Sequence, residues 1–189
     1  FSVKQEYELY ERLVQKGVSH FGDQAVPSMA HFGDGENLLV TGSTHDADGM
    51  RKTQDSAVQK ALFERLHAKL DLSDELLSDV ATYLVDDAEI LLVSLGSNAR
   101  SCQYVVDALR QQGQKIGLVR PRVLWPWPES LVQDICSQAK HLIAVESNSG
   151  QLAWLLRACL QQPVESLAQC QGEIIAPQAI MEFIEQRRS

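Results

Sequence analysis

From residue 88 onward, short continuous apolar runs alternate with longer stretches in which apolar residues recur every three or four positions. Ala88–Leu95 (AEILLVSL) is an almost unbroken apolar run, the pattern of a strand buried on both faces. Ala99, Cys102, Val105, Val106 and Leu109 then share one face of a helix predicted from Ala99 to Gln112. Gly113 ends that helix, because glycine takes the left-handed conformation at low cost. Lys115–Arg120 reads as the next strand, and Glu129–Ala139 as a helix with Leu131, Val132, Ile135 and Cys136 on its apolar stripe. Strand His141–Glu146 leads to a helix over Gln151–Leu160, and Pro163–Leu167 reads as a short edge strand. Pro177 opens the last helix, where its missing N–H costs nothing, with Ile180, Phe183 and Ile184 facing inward. Strands separated by single amphipathic helices require right-handed crossovers. The expected fold is therefore α/β, a three-layer α/β/α sandwich around a mainly parallel sheet.

Upstream the rhythm changes. Residues 54–87 read as a helical linker of two helices. The first carries the stripe Val58, Leu62, Leu66 and Leu70. The second is capped by Ser73 and buries Leu76, Leu77, Val80, Ala81 and Leu84. Residues 1–53 are punctuated by six glycines and Pro27, and read as an irregular arm that wraps a neighbouring domain. The start at Phe1 and the charged run Lys4–Arg12 suggest a piece of a longer polypeptide, without a signal peptide.

Composition narrows the function classes. The net charge of −8 repels phosphate backbones, which argues against nucleic acid as a partner. No apolar run approaches the roughly 20 residues of a membrane-spanning helix, so no membrane partner is expected. Cys102, Cys136, Cys159 and Cys170 form no C-x-x-C pair, and three of them lie on apolar helical stripes. They read as small hydrophobes in a reducing cytoplasm, with no metal site.

Candidate chemistry is confined to turns. In a parallel sheet the loops at the carboxyl ends of the strands meet ligands and partners, and three such loops are informative. In Leu95–Arg100, Ser97 or Asn98 is placed to cap a helix, with Arg100 beside it. An anion site at those amides is the competing reading, but neither G-x-G-x-x-G nor a P-loop is present. Arg120–Pro128 holds Arg120, Trp125 and Trp127 on a path fixed by three prolines. If Trp125 and Trp127 flank an extended Pro126, one ring turns into the domain and the other toward a neighbour. The alternative puts both rings in the core. In Val145–Leu152, Glu146 ends a buried strand and needs a hydrogen-bond partner. Asn148 or Ser149 reads as the cap of the helix that Gln151 begins, with Glu146 anchoring an adjacent loop. Upstream, Asp46 and Asp48 lack the glycine and glutamate of a calcium loop, so 41–49 reads as a hydrogen-bonded turn. No nucleophile–base–orienter set is evident, and no catalytic residue is assigned.

Four segments in order, "TGSTHDADG" at 41–49, "LLVSLGSNARS" at 91–101, "IGLVRPRVLWPWPE" at 116–129 and "IAVESNSGQL" at 143–152, resemble the alpha chain of 2-oxoacid:ferredoxin oxidoreductases. The resemblance implies a domain like the C-terminal domain of transketolase, with one antiparallel edge strand in its sheet. It further implies a parent enzyme that oxidatively decarboxylates a 2-oxoacid to acyl-coenzyme A and passes electrons through iron–sulfur clusters to ferredoxin or flavodoxin. In that parent, thiamine diphosphate and magnesium lie between a pyrimidine-binding domain preceding this one and a beta subunit. No cofactor is assigned to this stretch itself, and the implied role is architectural. The alternatives are a small-ligand regulatory module and the equivalent domain of a transketolase or a dehydrogenase E1 component.

Overall fold

The computed structural model describes residues 31, 33–35, 42–46, 50–71 and 77–187. The chain divides into two compact units, Phe1–Leu76 and Leu77–Ser189. In the first unit, the Thr44 carbonyl accepts the Lys52 N–H at 2.9 Å. His45 bridges Arg51 in antiparallel fashion, and the Asp46 carboxylate accepts the Met50 N–H at 3.0 Å. Hydrogen bonds thus link 44–46 to 50–52, while Thr41 and residues 47–49 of the expected turn lie outside the described residues. Helix α1 (Ser56–Asp71) follows, capped by Asp55, whose Oδ1 accepts the N–H groups of Ala57 and Val58. Its stripe is incompletely covered: Val58, Leu62 and Leu70 are half-buried, whereas Leu66 is exposed.

The second unit is built on a five-stranded sheet in the order β1-β3-β2-β4-β5. The strands are β1 (Val80–Tyr83), β2 (Ile90–Ser94), β3 (Ile116–Pro121), β4 (His141–Glu146) and β5 (Glu165–Ala168). The helices are α2 (Asn98–Gln111), α3 (Glu129–Cys136), α4 (Gln151–Leu160) and α5 (Pro177–Glu185). All pairings are parallel except β1 with β3, where Val80 stands opposite Pro121.

The expected helix through Val80, Ala81 and Leu84 is corrected here. Val80 and Ala81 belong to β1, the antiparallel edge strand, while Ser73 lies outside the described residues. The apolar spacing at Leu77, Val80, Ala81 and Leu84 fits a helical stripe as well as a short strand, and only pairing with β3 decides between them. The edge strand legible in the sequence, near Pro163–Leu167, is β5, and it pairs in parallel.

Alternation along the central strands divides the core in two. Ile90 and Leu92 join Ile116, Leu118, Ile143 and Val145 on the face covered by α2 and α5. Leu91 and Val93 join Val119, Leu142 and Ala144 on the face covered by α3 and α4. Every residue of β2 is buried, which is why the sequence shows a run there and no alternation.

One turn locks the antiparallel edge to this core. The Arg110 guanidinium donates to the carbonyls of Ile116 and Leu84, each at 2.7 Å, and pairs with Asp87 at 2.7 Å. Its hydrogen bonds hold the Asp87 carboxyl below the usual carboxylate range.

Three thiols are buried, Cys102, Cys136 and Cys159, and Cys170 is exposed. Burial pushes the Cys102 and Cys136 thiols up to about 12. Burial also raises Cys159, with the indole of Trp127 pulling partly the other way. Because the thiolate is the reactive form, a disulfide reagent at pH 8 is expected to label Cys170 rapidly in the native chain. Cys102, Cys136 and Cys159 should react only in denaturant. Rapid native labelling at any of these three would contradict the packing.

Candidate functional site

Chain order and sheet order together define one crevice. From β2 the chain crosses through α2 to β3, and from β4 it crosses through α4 to β5. β2 and β4 are neighbours, so the two connections leave in opposite directions from adjacent carboxyl ends. This is the switch point at which doubly wound sheets present their loops. The amino ends of α2 and α4 meet there.

On the β2 side, Ser97 makes no side-chain cap, and the expected capping of α2 by Ser97 or Asn98 is corrected. Asn98 is 5% exposed and its amide is used elsewhere. Its Nδ2 donates to Ser147 Oγ at 2.8 Å, and its Oδ1 accepts the Ile175 N–H at 3.0 Å. The Ser147 hydroxyl donates in turn to the Glu173 carbonyl. One amide thus joins the loops after β2, β4 and β5, which a cap geometry would forbid. Beneath it, Ser94 Oγ donates to the Val145 carbonyl at 2.7 Å. Arg100 lies exposed on the first turn of α2.

On the β4 side, Glu146 is 1% exposed and both carboxylate oxygens are engaged. Oε2 accepts the Leu152 N–H at 2.6 Å, while Oε1 accepts the Ala153 N–H at 3.1 Å and the Ser166 hydroxyl at 3.0 Å. The expectation that Glu146 anchors an adjacent loop is therefore modified. It binds chiefly the first turn of α4, and through Ser166 the edge strand β5. Asn148 Oδ1 accepts the N–H groups of Gly150 and Gln151, and Gln151 Oε1 accepts the Ser149 N–H. The amides that would attract an external anion at α4 are thus filled by this chain's own side chains. Gly150 makes the turn possible with φ +96°.

The loop after β3 projects differently. Trp127 is half-buried against the α3/α4 core, with its indole nitrogen enclosed beside Cys159. Trp125 is 75% exposed, next to the exposed Leu124. Two residues apart, the rings face opposite ways, one into the domain and one out of it. Arg120 is half-buried on β3 opposite Ala81, and Arg122 pairs with Asp79 at 3.0 Å.

Among the described residues, no group of three or more His, Cys, Asp or Glu side chains is placed to hold a metal ion. The buried thiols sit on three different helices, and the one buried carboxylate among the described residues, Glu146, has spent its oxygens on backbone N–H groups and a hydroxyl. This donor set does not fit a magnesium–diphosphate site or an iron–sulfur cluster. No helix among the described residues is long and apolar enough to cross a membrane. The polar hub at Asn98 was legible only as a cap, because nothing local reveals that its partners stand 49 and 77 residues away.

Comparison with known proteins adds the following. Residues 88–180 match the family described as pyruvate:ferredoxin oxidoreductase core domain II. The chain is 33% identical over 164 residues to 2-oxoglutarate synthase subunit KorA of Methanothermobacter thermautotrophicus, covering 86% of this chain and 44% of that protein. It is 34% identical over 103 residues to ketoisovalerate oxidoreductase subunit VorB of the same organism, covering 54% of this chain and 29% of that protein. The chain therefore spans less than half the length of the curated relatives it matches. A solved structure of 2-oxoglutarate:ferredoxin oxidoreductase from Magnetococcus marinus superposes with a TM-score of 0.65 at 19% identity, over 93% of this chain and 32% of that one. That likeness establishes a shared fold.

Proposed function

Through residues 88–180 this chain belongs to the pyruvate:ferredoxin oxidoreductase core domain II family and is a domain of a 2-oxoacid:ferredoxin oxidoreductase alpha subunit, and from that premise we propose that its role is architectural. It packs against the catalytic parts of the parent and shapes a subunit interface. The parent converts a 2-oxoacid to acyl-coenzyme A and delivers electrons to ferredoxin or flavodoxin. Thiamine diphosphate and magnesium are held by its other parts, the pyrimidine-binding domain and the beta subunit, and the electrons leave through iron–sulfur clusters of the parent complex.

The observation that carries this reading is Trp125. An indole exposed to 75% on a loop stiffened by three prolines gains nothing from its own domain. A rigid, pre-positioned aromatic loses little entropy on docking, and tryptophan is enriched among residues that dominate interfaces. Supporting it from the other direction, Asn98, Glu146 and Asn148 spend their polar atoms inside the crevice, which gives the switch point rigidity.

The test is Trp125→Ala in the full-length alpha subunit, co-expressed with its beta subunit. Its thermal unfolding is expected to stay unchanged, while affinity for the beta subunit falls by about 2 kcal/mol, roughly thirtyfold. Unchanged assembly would overturn the interface assignment. Separately, the 189-residue chain supplied with 2-oxoacid, coenzyme A and thiamine diphosphate should give no turnover. Turnover would reject the architectural role.

A further inference from the structure

Helix α4 differs from the other helices of the second unit in the charge it shows to solvent. Its ten residues include no Asp or Glu, in a chain that holds 25. By contrast α2 exposes Arg100, α3 exposes Glu129 and Asp134, and α5 exposes Glu182 and Glu185. Leu152, Ala153 and Leu156 of α4 are buried, which leaves Gln151, Trp154, Arg157 and Ala158 on the outside. The one charge among these is turned back on the domain, because Arg157 Nε donates to the Val164 carbonyl at 2.9 Å. Amid this face Trp154 is 69% exposed.

A single exposed apolar side chain is ordinary on a soluble protein. An indole on a helix face without carboxylates is another matter, because the cores of interfaces are depleted in charge and enriched in aromatic residues. Position points the same way. α3 and α4 cover the same face of the sheet and lie side by side, with Gln133 Nε2 donating to the Cys159 carbonyl at 3.0 Å. Trp154 stands on the first turn of α4, which Glu146 ties to the carboxyl end of β4. Trp125 lies on the loop that leaves the carboxyl end of β3 and enters α3. Both indoles therefore belong to one layer and one end of the sheet.

We propose that the outward face of α4 around Trp154 is a docking surface for the beta subunit, continuous with the Trp125 loop. The proposal rests on the interface reading above and extends it from one loop to a helix face. The chemistry of the partner follows from that of α4. The matching surface is an uncharged, apolar recess that takes an indole, because a carboxylate or ammonium buried there would find no counter-ion on this face. A second copy of the chain is the poorer occupant. Each copy carries a formal charge of −8, and an uncharged face supplies no cation to offset the repulsion between two of them.

The experiment is Trp154→Ala in the full-length alpha subunit, titrated with its beta subunit alongside Trp125→Ala. Affinity is expected to fall about tenfold for Trp154→Ala, while Trp154→Phe, which keeps an aromatic ring, stays close to the wild type. Thermal unfolding of the free alpha subunit should not drop, since alanine suits an exposed helical position better than tryptophan. In fluorine NMR of the fluorotryptophan-labelled subunit, the Trp154 signal, assigned by its loss in Trp154→Phe, should lose its solvent isotope shift on assembly. Unchanged affinity in Trp154→Ala, or a Trp154 signal that stays solvent-exposed in the complex, overturns the proposal. If Trp125→Ala still weakens assembly in that case, the interface reading stands and only its extension to α4 falls. A neutral Trp125→Ala beside a weakened Trp154→Ala keeps the α4 surface and removes the Trp125 anchor. Loss of self-association of the alpha subunit, with beta binding intact, would assign the face to a second copy and reject the proposal.

Discussion

Glu146→Ala is expected to destabilise the second unit by about 3–5 kcal/mol, the largest effect of any single substitution proposed for this chain. The side chain is 1% exposed and serves three donors, the N–H groups of Leu152 and Ala153 and the hydroxyl of Ser166. Alanine leaves those donors in a space that water enters poorly. Each buried, unmet donor costs roughly 1–3 kcal/mol, and α4 also loses the acceptor at its amino end. The counterweight is the cost of burying a carboxylate, which removal recovers. That cost is already offset in the native fold by charge-assisted bonds and by the positive end of the helix dipole. Loss of the bonds therefore wins. Glu146→Gln should fall between the two, at about 1–3 kcal/mol, because its amide turns one donor toward another. Urea unfolding followed by circular dichroism measures both. A loss under about 1 kcal/mol for alanine would mean that the contacts are not formed in solution, since a domain of this size is stable by only about 5–15 kcal/mol.

Gly117→Ala is the second. Glycine inside a strand ordinarily costs about 0.5–1 kcal/mol relative to alanine, so in open space the substitution would stabilise. Here a Cβ at position 117 would lie 2.5 Å from the Leu84 carbonyl oxygen and 3.1 Å from a Leu91 methyl. The oxygen cannot easily retreat, because Arg110 holds it at 2.7 Å while pairing with Asp87. The sign reverses: a destabilisation of about 2–4 kcal/mol is expected, from overpacking against fixed backbone. A double-mutant cycle distinguishes this cause from any other. In an Arg110→Ala background the carbonyl is free to shift, and the penalty of Gly117→Ala should shrink by at least about 1 kcal/mol. Additive effects would show that Arg110 does not fix the turn.

The central strands and the four helices of the second unit follow from periodicity. β4 and α4 fall where the sequence places them, at His141–Glu146 and Gln151–Leu160. The other elements differ from their expected bounds by a few residues at an end. The reason is physical: a strand buried on both faces must be apolar throughout, and a helix on the sheet must be apolar every three or four positions. These demands are local, and a single sequence records them. β1 escaped because four residues at an edge satisfy either pattern. Its identity comes from the hydrogen bonds of β3, which lie some 40 residues away in the chain.

The crevice shows the same division. A polar residue after each central strand was legible, and so was the need of Glu146 for a partner. Which partner each one takes was not. Asn98 turned from a cap into a bridge because two distant loops arrive beside it, and an unmet amide buried there would cost more than a missing cap. Trp125 and Trp127 are indistinguishable as residue types, and the prolines around them fix a path without fixing its direction. Sequence alone determined the layers, the mainly parallel order of connection and the positions of the loops, because each depends on local periodicity. Tertiary structure alone decided the antiparallel edge, the destination of each buried polar atom and which indole faces outward, because those depend on neighbours that only folding brings together.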